Sequence, residues 1–534
     1  MVAPNGHNDN IRAGSRNDVE RINNMGGVRM DVVFTNLLDG FMVALTPENL
    51  FWVTLGGLLG TIIGMLPGLG PATGVAVLLP MTFTMGPVAA LITMAGVYYG
   101  AMFGGSRSSI LINTPGDGAA IAATFDGYPM AQNGRAEAAL AMSAIASFIG
   151  GIIATIIMTT VAIPVARFAL KFGPAEYFLL MVFALSATAS LSKGNLMKGF
   201  ISMILGLMIS TVGIDAQSGV QRFTLGMPEL QTGIDFLVVI IAIYALGEVF
   251  KTFQLLKEGK KKMQTKFGKI WITKDDWRRS IWPILRSTPI GFFVGALPGA
   301  GGTMASLMAY NNEKQISKRP DEFGKGAIEG LAAPEAANNA ASVGSLIPML
   351  TLGIPGSGTT AVMMGALLML GLQPGPMLFQ QHPEIAWGLI ASMFIGNFVL
   401  AFINIPLAGL LVRLLAIPPK ILYPIVLGLA FVGTYAIGYS KVDFYLLVIF
   451  GIIGYLMGEA GIPTAPLILA VIVGNNMEQS FRQALTISNG SFEIFINSTI
   501  SLVLIALTIF SIGYPSFKDW LKKKQKLNKT NSFN

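Results

Sequence analysis

Four short segments of this chain set glycine and proline among small hydroxyl residues, each beside an uncharged apolar run. They are Pro67-Gly68-Leu69-Gly70-Pro71-Ala72-Thr73, the stretch from Gly105-Ser106 to Asn113-Thr114-Pro115-Gly116, Pro298-Gly299-Ala300-Gly301-Gly302-Thr303, and Pro355-Gly356-Ser357. Proline removes a backbone donor, and glycine lets other atoms approach the chain. Hydrocarbon cannot hydrogen-bond a free backbone group, so broken helices at membrane depth persist only where protein or a water-filled cavity covers them. A half-helix that begins there presents unpaired N–H groups and the positive end of its dipole, which suits an anion. Unwound carbonyls and hydroxyls suit a cation. The chemistry expected of these segments is therefore reversible binding of a carboxylate together with a coupling ion, Na+ or H+. The competing reading is that the hydroxyls bond back to their own helices or let helices pack closely.

Charged groups in the same regions sharpen the expectation. Arg107 stands alone in the uncharged stretch from Met85 to Pro115, where a charge is costly unless it faces a cavity or a partner. Its guanidinium suits bidentate binding of a carboxylate; the alternative is an arginine reaching to the headgroup level. Asp117 and Asp126 follow the first proline-glycine break, with Asp126-Gly127-Tyr128-Pro129 reading as a turn. On a helix starting near Pro334, Glu335 shares a face with Asn338 and Asn339, a set able to hold a cation or relay a proton. A first-turn acid stabilising its own helix is the plainer account of Glu335. These five residues are the ion-coupling candidates. With no cysteine and only His7 and His382 as imidazoles, thiolate chemistry is excluded and no histidine metal centre is expected. Phosphate-loop, nucleophile-elbow and zinc-protease motifs are missing too, so an enzyme is not expected.

The elements that must position these groups are membrane helices. The chain has 534 residues, 53% hydrophobic and only 12% charged, against about 25% charged in soluble domains. Runs such as Leu140–Ala166 and Ile385–Leu411 are long enough to span, and all such runs together suggest about ten to twelve spans. The expected class is an all-α polytopic membrane protein with re-entrant or broken half-helices; the alternating pattern of a membrane β-barrel does not occur. The net charge of +8 sits beside apolar spans and reports topology, so nucleic acid is not an expected partner. Residues 1–29 form a polar leader, either disordered or preceding a true start at Met30. A basic segment over 251–285 and a basic tail over 516–534 are both expected on the cytoplasmic side.

Between these lie two matching units, 30–250 and 286–515. Gly64-Met65-Leu66-Pro67-Gly68-Leu69-Gly70 and Gly295-Ala296-Leu297-Pro298-Gly299-Ala300-Gly301 spell the same pattern, and Asn113-Thr114-Pro115-Gly116 corresponds to Gly353-Ile354-Pro355-Gly356. Paired interruptions of this kind point to a transporter substrate site. Whether the repeats are parallel or inverted depends on the number of spans in each.

At these residues the chain resembles TctA, the large membrane subunit of the tripartite tricarboxylate transporters. The likeness runs from Met30 to about Pro515. It is carried by the motifs above together with Tyr98-Tyr99-Gly100, Gly104-Gly105-Ser106, Asp126-Gly127-Tyr128-Pro129 and Pro334-Glu335-Ala336-Ala337-Asn338-Asn339-Ala340. The polar leader departs from the family pattern. The resemblance implies an ion-gradient-driven permease of a bacterial inner membrane. It also implies a small membrane subunit and a periplasmic solute-binding protein that delivers citrate or another carboxylate. A standalone carrier and, further off, an ion channel are the alternatives.

Overall fold

The computed structural model describes residues 30–66, 69–191, 196–215, 217–247, 249–250, 271–407 and 419–513. The polar leader, Pro67, Gly68, residues 251–270 of the basic segment and the tail from 516 lie outside them. The first half runs α1 (Met30–Ala44), α2 (Pro47–Met65), α3 (Pro71–Thr82), α4 (Pro87–Ile112), α5 (Ile121–Gln132), α6 (Ala136–Ala169), α7 (Pro174–Leu191) and α8 (Leu196–Ser210). A two-stranded hairpin, Gly213–Ile214 against Gln221–Arg222, precedes α9 (Phe236–Ile241), which continues as a π-helical turn over Ala242–Leu246. The second half comprises α10 (Lys274–Ala296), α11 (Gly301–Ile316), α12 (Ile328–Gly344), α13 (Leu346–Leu352), α14 (Gly358–Met369), α15 (Leu378–Gln381), α16 (Pro383–Asn404), α17 (Pro419–Gly438), α18 (Lys441–Glu459) and α19 (Ala465–Ile487). A last helix, α20, covers Thr499–Gly513.

The protein is all-α and polytopic, as expected. Among the described residues six helices are long and apolar enough to cross a membrane, and six shorter apolar helices accompany them. The basic segment also ends early: α10 starts at Lys274, where the Thr273 hydroxyl accepts from Asp276 N–H and the Asp276 carboxylate accepts from Thr273 N–H. This reciprocal cap satisfies the exposed donors of the helix start.

The matching motifs of the two halves take matching places. Helix α2 packs on α4, and α10 on α12, through glycines four apart. A Cβ at Gly60 or Gly64 would stand 2.2 Å from the carbonyl oxygens of Val97 and Ala101, and one at Gly291 or Gly295 would stand 2.2 and 2.3 Å from those of Ala337 and Ala341. Small residues spaced this way let helix backbones touch, and such close packing is what joins helices in lipid. Both first helices stop alike: Leu66 N–H donates to Ile63 O at 3.0 Å and Leu297 N–H to Val294 O at 3.1 Å. Helix α4 ends in a left-handed residue, Asn113 with φ 53°, and α13, which follows α12 after Ser345, ends likewise at Gly353 with φ 70°. In αL the chain turns sharply while its N–H groups still cap the helix carbonyls.

Two local readings are corrected. Asp126-Gly127-Tyr128-Pro129 is not a turn but lies inside α5, where Gly127 leaves room for Ile110: a Cβ there would meet Ile110 Cγ1 at 2.8 Å. Nor does a helix start at Pro334. It lies within α12, which begins six residues earlier at Ile328. The start of α12 is capped from another helix: the Asp126 carboxylate accepts from the N–H groups of Gly324, Gly326 and Ala327, each at 2.8 Å, and from the Tyr310 hydroxyl at 3.0 Å.

Candidate functional site

The four broken segments meet around one cavity of about 680 Å³. Its wall takes Gly70 and Thr73 from the start of α3, Pro115, Gly116 and Asp117 from the turn before α5, Gly302 and Thr303 from the start of α11, and Ser357 and Thr359 from the start of α14. Four helix N-termini therefore face one space, two from each half. The chain reaches this arrangement because three of the breaks begin a new helix at a proline, a glycine or a capping serine, while α5 starts at Ile121, five residues after Gly116. Pro71 opens α3, and Ser357 caps α14 by accepting from Thr360 N–H at 3.2 Å.

Polar side chains complete the lining. The Tyr98 hydroxyl lies 3.1 Å from Ser345 Oγ and 3.3 Å from Ser357 Oγ, tying α4 to the fourth break. The Thr73 hydroxyl donates to the Tyr244 carbonyl at 3.1 Å, joining the first break to the π-helical turn. A Cβ at Gly358 would stand 2.2 Å from the Tyr244 hydroxyl. Asp117 Oδ1 accepts from Ala120 N–H at 3.1 Å and so closes the turn that leads into α5. No lysine or arginine occurs among the described residues of the wall. The space lies within the roughly 300–1,000 Å³ of small-molecule sites, and its donors are backbone N–H groups and hydroxyls.

The expected contacts divide into three groups. Gly70, Thr73, Pro115, Gly116, Thr303 and Ser357 line the cavity, as does Asp117 from the ion set. Gly105, Asn113, Pro298, Gly299, Gly301, Pro355 and Gly356 shape the breaks behind it: Gly299, at φ 82°, donates its N–H to Gly356 O at 3.2 Å and so locks the third break to the fourth. Ser106, Arg107, Asp126, Glu335, Asn338 and Asn339 are built into the surrounding helices.

Arg107 turns away from the cavity. Fully buried, it donates Nη2 to the Asn404 carbonyl and Nη1 to Phe103 O at 3.4 Å. Glu335 sits in a serine cage, accepting from Ser106 at 2.6 Å, Ser143 at 3.0 Å and Ser147 at 3.2 Å, so its carboxylate joins α4, α6 and α12. Asn339 Nδ2 bonds back to the Glu335 carbonyl at 3.1 Å. Both side-chain polar atoms of buried Asn338 lack a partner among the described residues, and its Oδ1 stands beside Gly302, behind the cavity wall. Tyr98, Tyr244, Tyr455 and Thr464 line the space without having been selected from the sequence. Tyr98-Tyr99-Gly100 offered a signal for the first; nothing in the local sequence marked the π-helical Tyr244.

Comparison with known proteins decides the identity of this architecture. Residues 50–469 match the tripartite tricarboxylate transporter TctA family. The chain belongs to the TctA family. An uncharacterized 52.8 kDa protein in the TAR-I ttuC′ 3′ region of Agrobacterium vitis is 43% identical over 479 residues, covering 90% of this chain and 95% of the relative. An uncharacterized protein in the TAR-II ttuC′ 3′ region of the same organism is 42% identical over 222 residues, 42% of this chain and 92% of the relative. No solved structure matches. As a TctA-family protein the chain is a multi-pass membrane component of a tripartite transporter.

Proposed function

We propose that this TctA-family chain is the permease through which a di- or tricarboxylate enters a bacterial cell across the inner membrane, driven by a sodium or proton gradient. A periplasmic binding protein hands over the substrate, and a small membrane subunit completes the complex. The observation that carries the reading is the convergence of four helix N-termini and a ring of hydroxyls on one cavity drawn from both halves. Aligned N–H groups and dipoles stabilise carboxylates without a fixed cation, and sites of this build lie where two repeats meet. An anion held by dipoles can be released again, as transport requires.

The test is uptake of labelled citrate into proteoliposomes holding the chain and the small subunit, with the binding protein outside. Sodium and proton gradients are imposed separately. Accumulation above equilibrium under one gradient, and none without it, is expected. Rapid equilibration with no gradient would mean a passive pore, and full uptake by the chain alone would mean a standalone carrier.

A further inference from the structure

A carboxylate is built into the core of the protein behind the cavity wall. Every residue of α12 is buried, and the helix packs against α4 and α6, both long and apolar enough to span. At its centre Glu335, 1% exposed, is met by the hydroxyls of Ser106, Ser143 and Ser147. No ion pair compensates it among the described residues: Arg107 of α4 acts on it only through space, its Nη2 being committed to the Asn404 carbonyl. The charged groups of the other helices packed on α12 are engaged elsewhere. Asp126 of α5 accepts from the backbone that leads into α12, Arg279 of α10 pairs with Glu329, and Arg286 of α10 pairs with Glu313 of α11. An unpaired charge is costly at this depth, and acids so placed in membrane proteins carry protons. A hydroxyl can donate to a carboxylate or accept from an acid, so the serine cage serves both states. Its contacts, 2.6 to 3.2 Å, are hydrogen-bond lengths and leave no room for a metal ion between the oxygens.

Two contacts join the cage to the cavity. Ser106 follows Gly105, on which the second break rests: a Cβ at Gly116 would stand 2.8 Å from Gly105 Cα, and one at Gly105 would stand 3.6 Å from Asp117 Oδ1. One turn along α12 from Glu335, Asn338 is 1% exposed and uses neither its side-chain donor nor its acceptor among the described residues. Its Oδ1 lies 2.9 Å from where a Cβ of the cavity-lining Gly302 would be. Buried amides are ordinarily paired, and a free donor and acceptor between an acid and a cavity wall suit a proton carried by water. An anion in the cavity and a charge on Glu335 repel, so each binds better when the other is neutralised or absent. Resting on the carboxylate-permease reading above, we infer that Glu335 is the proton-binding residue of the transport cycle: its carboxylate takes a proton as the anion enters and releases it inside as the anion leaves. One O–H bond forms on a carboxylate oxygen and later breaks, so each turnover moves one proton inward and nothing is oxidised or reduced.

Calorimetry of citrate binding to the full chain in nanodiscs, repeated in buffers of different ionisation heat, counts the protons taken up; the pH series stays where citrate is fully ionised. Wild type should approach one proton per citrate, and on the alkaline side its affinity should fall by up to about tenfold per pH unit, the slope of one linked proton. Glu335→Gln keeps groups that can bond to the serines and cannot titrate. It should bind citrate with no proton uptake and no pH slope. In proteoliposomes of the complete transporter it should exchange citrate across the membrane yet fail to accumulate it under a proton gradient, a split that a merely structural role would not produce. Proton uptake or gradient-driven accumulation unchanged in Glu335→Gln would overturn the inference, as would wild-type binding with no proton uptake. Should Glu335→Gln not fold, the pair Ser143→Ala and Ser147→Ala takes two donors from the charged form and should move the pH of half-complete uptake by about one unit or more; an unmoved midpoint overturns the inference. Citrate accumulation driven by sodium alone would also overturn it and leave the permease reading standing. Failure of the complete transporter to take up any carboxylate would remove the underlying reading, and the inference with it.

Discussion

Replacing Gly295 by alanine places a methyl group 2.3 Å from the Ala341 carbonyl oxygen and 2.5 Å from its Cα, where ordinary contacts lie at about 3.5–4.0 Å. The obstacle is backbone, so no side chain can rotate away. Helices α10 and α12 must part by roughly 1 Å, and overpacking of this kind costs about 1–3 kcal/mol. The displacement falls two residues before Leu297, where α10 ends and the third break begins, so the cost is borne by the arrangement that builds the cavity. A loss of about 1–3 kcal/mol lowers the population of that arrangement by roughly 5–150-fold. Gly64→Ala, with its methyl 2.2 Å from the Ala101 carbonyl, should behave alike. Gly428 in α17 has nothing among the described residues within 4 Å of an added Cβ, and its change to alanine should be neutral or slightly stabilising. The assay is thermal unfolding of purified variants beside gradient-driven uptake. Wild-type unfolding temperature and uptake in both Gly64→Ala and Gly295→Ala would refute the argument that these glycines hold the two helix pairs in backbone contact.

Arg107→Lys should leave citrate affinity within about twofold, because the guanidinium faces the Asn404 carbonyl and not the cavity, and should lower the unfolding temperature; a binding isotherm separates the two effects. Asp126→Ala strips the acceptor from three backbone N–H groups and the Tyr310 hydroxyl and should cost about 3 kcal/mol or more, read as a drop in thermal stability. In the hairpin after α8, the N–H groups of Ser218 and Gln217, with Arg482 and Arg222 beside them, hold the Asp215 carboxyl down at about 2. Because its folded value is depressed, its contribution to hairpin order is complete above the unfolded value of about 4 and is lost as pH falls through about 2. Hydrogen exchange at the Gln217 and Ser218 amides should therefore show constant protection factors above pH 4 and a loss below it.

The sequence by itself determined the class of the protein and the position of its breaks. Proline and glycine act within one or two residues of themselves, and a run of uncharged apolar residues has few places to go but lipid, so both signals survive without a third dimension. The matched motifs were legible for the same reason: Gly64 and Gly295 each stand against the backbone of a neighbouring helix. Only the tertiary structure decided which polar groups face the cavity. Arg107 follows Ser106 directly, yet helical rotation of about 100° per residue sends the two side chains to different neighbours, the serine to Glu335 on α12 and the arginine to the end of α16. Asp126 looked like part of a turn because its acceptor role is filled by N–H groups some 198 to 201 residues away. Tyr244 enters the site through a π-helical turn on an otherwise apolar helix, a register that its own residues do not announce. Composition and spacing state what a segment cannot do in lipid; which groups meet depends on helix rotation and on contacts between distant segments, and those exist only in the folded chain.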